Sequence, residues 1–388
     1  MAFDSSSGPL QRQSKLWTTS QCTIKKRLSL KTGRSYVNLV FPDTADVTEV
    51  MAKHTDSSIL LKLASKAMAN AGIPADQVFT KAGIALSEIV NDRERTPFAA
   101  QNAFWLALER ITDDADIGLH LSEFMPVYRG QVLEYLFFSS RNFGDGLQRS
   151  LAYQRLLTDA TSARLVITPQ HCYLADGTDS RQQRHFAECL VAGVLRFFKL
   201  VTDGQFKPLA MHFMHVEGAA PEEYERVYGC SVTLGCAEGR LYFDRDILKH
   251  VIWQAEPGLL HLHEKMANEK MAELQRNDLV ASVSRAIGAG LEGGAISLQD
   301  VAGSLGIPER RLRTQLTEAD TSFNQILMDY RSRLARRLLA KTRESIEQIV
   351  YLTGFSDPST FYRAFKRWTG ETPLEYRQRK QAEARASR

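Results

Sequence analysis

The sequence predicts a two-part architecture: an α+β half over residues 53–276, then an all-α half over 281–383 with two helix–turn–helix units joined by a linker helix. Three observations predict it. Short strand-like runs fall between residues 163 and 243. From Ser297 to Asp357 the chain is punctuated by four helix-start signals. The charge is divided: residues 1–280 carry 31 Lys+Arg against 33 Asp+Glu, whereas 281–388 carry 18 against 12. A basic C-terminal part points to a polyanion, although a solvated helical face gives the same count.

The 388 residues are 44% hydrophobic and 24% charged, which excludes collagen-like, mucin-like and wholly disordered chains. The longest uncharged apolar run, Cys189 to Leu195, is far short of the roughly 18 residues that span a bilayer. No apolar stretch at the N-terminus has the form of a secretion signal. The five cysteines are odd in number and form no CxxC pair, so they read as reduced thiols of a cytoplasmic protein.

Element by element, residues 1–52 read as a basic arm. Leu10 to Val40 holds seven basic residues and no acidic ones, which fits either a disordered tail or a phosphate-binding arm. Ile59, Leu60, Leu63, Ala64, Ala67 and Met68 recur at helical spacing and stop at Gly72-Ile-Pro74. A second helix starts at Pro97 and carries Phe98, Phe104, Trp105 and Leu108; shorter ones cover 130–138 and 144–158. Residues 163–168 and 171–175 suit two strands, and a long helix spans 181–200. Residues 208–216, 231–236 and 239–243 complete a small sheet, and a helix over 259–276 leads onward. Asn142-Phe-Gly-Asp-Gly146 lacks the rest of a phosphate loop and reads as a turn into a helix.

In the C-terminal part, Ser297, Ser322 and Ser345 stand three residues before Asp300, Gln325 and Gln348, and Asp357 precedes Pro358. Each can cap a helix. The first helix–turn–helix candidate spans 297–316. Ala302 allows close crossing, Gly306 makes the turn, and Ile307, Leu312 and Leu316 face Val301 and Leu305. Arg310, Arg311, Arg313, Thr314 and Gln315 are left on or near the outer surface, as on a helix that enters the major groove. The second candidate spans 345–368, with Gly354 at its turn and a core of Phe355, Phe361, Ala364, Phe365 and Trp368. Ser359, Thr360, Tyr362, Arg363, Lys366 and Arg367 remain for solvent or DNA. Between them, 322–341 reads as one helix whose arginines 331, 333, 336 and 337 can meet phosphates.

The run Gly354-Phe-Ser-Asp-Pro-Ser-Thr-Phe-Tyr-Arg-Ala-Phe-Lys-Arg-Trp-Thr-Gly-Glu-Thr-Pro-Leu-Glu-Tyr-Arg377 resembles the signature of the AraC/XylS family of bacterial transcription regulators, over about 281–383. Residues 221–230 and 241–248 resemble, more loosely, the N-terminal sensory half of its OruR-like, arabinose-binding-domain-type branch. The resemblance implies a homodimer that binds promoter DNA, contacts RNA polymerase and answers to a small effector held in 53–276. Four positions depart from the family pattern. Pro308 replaces a serine cap, Thr314 and Gln315 stand where basic residues are frequent, and Val350 replaces an alanine.

Trp105, Tyr128, Phe137, Phe138, Tyr153, Tyr173 and Phe213 are candidates to line an apolar effector cavity, or are simply core. His212/His215 and His261/His263 lack the spacing of a zinc site, so no metal is expected. No GxSxG, P-loop or dinucleotide fingerprint is present, and no cofactor is expected. Three readings remain: a regulator controlled by an effector, a ligand-independent regulator whose N-terminal half dimerises or binds a protein, and an enzyme fused to a DNA-binding module. The third lacks a catalytic constellation.

Overall fold

The structure, a computed structural model, describes residues 54–85, 95–127, 131–160, 162–169, 171–177, 183–291 and 296–386. The N-terminal arm and Tyr128 lie outside the described residues. The chain divides into two units, one running to Ala267 and one from Asn268.

In the first unit, strands β1 (Thr55–Ser57) and β2 (Arg95–Pro97) pair antiparallel. Helices α1 (Ile59–Asn70), α2 (Ala75–Ala82), α3 (Ala99–Thr112) and α4 (Ile117–Ser122) bury one core around Phe79, Phe104 and Trp105. Helix α2 follows directly on Pro74, where the sequence pattern marks only a stop. Its eight residues are too few for apolar periodicity to show.

Helices α5 (Val132–Phe138), α6 (Phe143–Ala152) and α7 (Arg184–Val201) pack with a five-stranded sheet. The sheet comprises β3 (Ala163–Ile167), β4 (Cys172–Asp176), β5 (Pro208–His212), β6 (Ser231–Thr233) and β7 (Gly239–Phe243), in the order β3-β4-β7-β5-β6. Only β5 and β6 pair in parallel, and helix α8 (Pro221–Tyr228) connects them. At the centre of this second core Phe143 stacks on Phe206 and meets Phe198 edge-on, and Phe243 packs tilted against Phe206. The helix expected over 144–158 ends at Ala152 and gives way to a 3-10 turn, Gln154–Leu156. Asn142 caps α6, with the Asp145 amide donating to its Oδ1 (2.8 Å). The two-glycine segment is therefore a helix start.

One polar node sits inside this unit. Glu188 is fully buried and takes hydrogen bonds from Arg184 Nε (2.9 Å) and the Tyr224 hydroxyl. Arg184 in turn pairs with Asp116. A charge this deep persists only when paired.

Helix α9 (Pro257–Gly290) is longer than the expected 259–276. No proline interrupts it, and Val283, Ile287 and Leu291 continue the apolar spacing into the core of the second unit. There, α10 (Leu298–Ser304), α11 (Glu309–Glu318), α12 (Phe323–Lys341), α13 (Ile346–Leu352), α14 (Pro358–Thr369) and α15 (Pro373–Ala386) follow. All four start signals form caps. The amides of Asp300, Gln325, Gln348 and Thr360 donate to Ser297, Ser322, Ser345 and Asp357 (3.2, 3.2, 3.1 and 2.8 Å). At Ser297 the box is reciprocal, because its own amide donates to Asp300 Oδ2 (2.9 Å). Hydrogen bonds from the Ser297 hydroxyl and amide hold the Asp300 carboxyl below its ordinary value, and those from the Thr360 side chain and amide do the same for Asp357.

Candidate nucleic-acid interface

Each helix–turn–helix unit is built from a capped helix, a left-handed glycine and a second helix. In the first, Gly306 takes φ +64° and the Ile307 amide donates to Ala302 O (3.0 Å). Val301, Ala302, Leu312 and Leu316 are buried together. At 100° per residue, the direction opposite Leu312 and Leu316 on α11 is held by Arg310, Thr314 and Glu318, with Arg311 and Thr317 beside them, all exposed. Thr317 was not singled out from the sequence, although the same rotation locates it.

The remaining α11 candidates sit differently. Arg313 is exposed but paired with Glu309 (2.5 Å). Gln315 is half-buried at the edge of the packed face, with Oε1 enclosed and without a partner. Pro308 stands at the helix start and supplies no side-chain cap, so the first turn relies on backbone geometry.

In the second unit, Ile349, Val350, Phe361 and Phe365 share a core with Ala335 and Leu339 of α12. Val350 is 5% exposed, so the larger side chain is accommodated. Opposite this core, Ser359, Arg363 and Lys366 occupy the middle of the outward face of α14, and Tyr362 and Arg367 flank it. Thr360 is half-buried and its amide is engaged in the Asp357 cap.

The arginines of α12 divide in role. Arg333 and Arg337 are exposed. Arg336 donates to Trp368 O (2.8 Å), near the C-terminal end of α14, where the helix dipole favours a cation. Arg331 differs from the expectation of a phosphate contact. It is half-buried, donates to Gly354 O (2.6 Å) and stacks on Phe355 at 4.8 Å. Burial lowers its pKa from the ordinary guanidinium value. Arg331 holds the turn of the second unit. A sequence shows that an arginine lies on a helix, but not that a carbonyl 23 residues away faces it.

The first unit holds a cavity of about 280 Å³ bounded by α5, α6, α7 and the β4–β7–β5 face. Phe137 and Phe213 line it. Trp105 lies instead in the α1–α4 core, packed edge-on against Phe104 at 5.1 Å. Tyr153 packs against a separate small cluster around Val132 and Leu136. Phe138 sits against Phe197 (5.9 Å), and Tyr173 lies under Arg240 (5.1 Å). The sequence reading missed the apolar stripe of α7, whose spacing is legible but whose exposure is not.

The histidine and cysteine candidates are occupied elsewhere. His215 Nδ1 bonds Glu217 O (2.7 Å), and His263 Nδ1 bonds Ser139 Oγ (2.7 Å). Burial pushes the Cys189 thiol up to about 12 and the Cys230 thiol up to about 11, far from the reactive range. Among the described residues no group of three or more metal-ligating side chains is gathered, and no helix is long and apolar enough to cross a membrane.

Two capped helix–turn–helix units joined by one helix define a DNA-binding transcription regulator. The chain matches the N-terminal arabinose-binding domain of AraC transcription regulators over residues 72–251, and a helix–turn–helix domain family over 301–379. It is 25% identical to the ornithine utilization regulator of Pseudomonas aeruginosa over 314 residues, covering 80% of this chain and 93% of that one. It is 27% identical to an HTH-type transcriptional regulator of Mycobacterium tuberculosis over 286 residues, covering 70% and 81%. Among solved structures, the regulator CdpR of Pseudomonas aeruginosa aligns at 19% identity and TM-score 0.40, covering 82% of this chain and 98% of that one. The chain is an AraC-type DNA-binding transcription regulator, with an N-terminal domain of the arabinose-binding type.

Proposed function

We propose that this regulator is controlled by a small molecule bound in the N-terminal unit. The observation that carries the reading is the 280 Å³ cavity, open beside the apolar stripe of α7 instead of filled by core side chains. In this reading residues 53–276 bind effector and dimerise, and 281–383 bind DNA. Ligand favours one arrangement of two subunits on adjacent half-sites over another. The protein acts in the cytoplasm, at a promoter, in contact with RNA polymerase.

Helices α11 and α14 then enter major-groove segments about one helical turn, roughly 10 bp, apart. Arg310, Arg311, Arg313 and Thr314 serve the first segment, and Gln315, its Oε1 enclosed, stays at the edge of the packed face. Ser359, Thr360, Tyr362, Arg363, Lys366 and Arg367 serve the second. Arginine pairs bidentately with guanine. Exposure of Arg310, Arg311, Arg363, Lys366 and Arg367 supports the assignment.

A second reading has its own support. Leu259, Leu262 and Met266 form an exposed stripe on the first turns of α9, and Trp253 is 82% exposed. Such a face suits a subunit or protein contact without any ligand. Genome-wide mapping of binding sites, followed by a reporter for the recovered operator, separates the two. Filling the cavity with Val194→Phe is expected to change reporter output and its response to growth conditions. Wild-type output under every condition would favour the ligand-independent regulator.

A further inference from the structure

The geometry points to the chemical class of the effector: an apolar molecule, aromatic or branched aliphatic, of about a dozen non-hydrogen atoms with a single hydrogen-bonding end. This inference rests on the effector reading above and deepens it. It runs against a sugar or a free amino acid as the ligand of this cavity.

The wall comes first. Ala187, Leu190, Val191, Val194 and Phe197 recur along one face of α7, all half-buried and all lining the cavity. Their neighbours Phe186, Cys189, Ala192, Leu195 and Phe198 are buried in the protein core. One helix thus carries two apolar faces; on the second, Phe197 packs on Phe137 (5.2 Å) and Phe138 (5.9 Å), and Ala187, Leu190, Val191 and Val194 border the cavity. Leu174, Met211 and Leu241 face the same cavity from the sheet. An apolar face left beside open space is the arrangement that an apolar ligand completes.

The polar side chains on the wall are already engaged. Gln154 bonds the Ala163 backbone through both Nε2 and Oε1 (3.1 and 2.8 Å). Thr158 donates to Asp56 (2.6 Å) and accepts from the Ala160 amide (2.9 Å). Arg240 is held by Glu238 (3.1 Å) and the Tyr242 hydroxyl (3.1 Å). Asp176 accepts from the Ser162 amide (3.2 Å). A pentose has a hydroxyl on nearly every carbon, and each must leave water for a partner. Without partners the desolvation cost is not recovered.

At one end of the cavity Gln131, at the start of α5, lines the wall. A ligand with a single hydroxyl meets its side-chain amide there while its body lies along α7. The volume sets the size: about 280 Å³ is nearly twice the ~150 Å³ in which a benzene-sized molecule binds.

The test is a thermal-shift and calorimetric panel on the full chain. 1-Naphthol is the probe, and L-arabinose and L-ornithine are polar comparators of similar size. 1-Naphthol is expected to raise the melting temperature saturably, with affinity at least tenfold weaker in Val194→Phe. Ala187→Leu serves as a second, milder filling variant, and circular dichroism checks the fold of both. No saturable shift with 1-naphthol, or a shift that both folded variants retain, overturns the inference. Arabinose or ornithine giving the shift, and losing it in both variants, also overturns it while leaving effector control intact. Effector control itself fails separately, on the reporter.

Discussion

The Arg331 guanidinium donates to the carbonyl oxygen of Gly354 across 2.6 Å, which ties the linker helix α12 to the turn of the second helix–turn–helix unit. The same side chain lies over the Phe355 ring. The turn that aims α14 is therefore fixed from outside its own unit. Arg331→Ala is expected to destabilise the second unit by about 2 kcal/mol, the worth of a hydrogen bond to a charged group. It should weaken binding to all DNA sequences alike, because no base contact is removed. Denaturant unfolding combined with binding to operator and random duplex checks this. Unchanged stability with a reduced salt dependence of binding would instead make Arg331 a phosphate contact.

Gly354 and Gly306 make the two turns with nearly the same backbone, φ +68° and +64°. Their surroundings differ. A Cβ at Gly354 would lie 2.8 Å from Leu291 Cδ1 and 3.2 Å from Arg331 Nη2, whereas one at Gly306 meets open space. Gly306→Ala is expected to cost about 1–2 kcal/mol from left-handed strain alone. Gly354→Ala should cost more, because Leu291 and Arg331 must also move. Equal unfolding midpoints for the two variants would contradict the packing around Gly354.

Arg363 occupies the middle of the outward face of α14 and is exposed. Arg363→Ala should weaken operator binding and relax preference at one base position by about 1–3 kcal/mol. Lys366→Ala, one turn on, should weaken binding uniformly and lower the salt slope by about one unit. Titrations against single-base operator variants at two salt concentrations distinguish them. Arg363→Ala with unchanged affinity for every variant removes it from the reading face.

Asp56 is fully buried, and burial pushes its carboxyl up to about 6 despite the Thr158 hydrogen bond and nearby Arg95. Because its folded pKa lies above the unfolded value, the carboxyl favours the folded state fully below about pH 4. That contribution is lost as pH rises through about 6. The loss amounts to about 3 kcal/mol by pH 7. Asp56→Asn, which carries no titrating proton, should therefore gain stability relative to the wild type between pH 4 and 7. Urea midpoints at several pH values measure the difference, and parallel curves for the two proteins would refute it.

The C-terminal unit was largely legible in the sequence because its signals are local. Ser297, Ser322, Ser345 and Asp357 each bond an amide three residues on, and the turn glycines sit between apolar residues at helical spacing. In contrast, α2 and α8 are short, and β1 pairs with β2 across some forty residues. Neither case leaves a periodic trace. Of the cavity candidates, Phe137 and Phe213 line the wall, and Trp105 and Tyr153 pack elsewhere. An aromatic residue looks the same in sequence whether it faces core or open space.

The amino-acid order alone thus determined where the capped helices of the C-terminal part begin and which of their faces are apolar, and its resemblance to the family signature implied that this part reads DNA. The caps and faces follow from hydrogen bonds and side-chain spacings within a few residues. The tertiary structure decided that Arg331 holds a turn instead of a phosphate, and that the second apolar face of α7 borders a cavity. Both depend on which distant segments the folded chain brings opposite a given side chain, and on where packing leaves space unfilled.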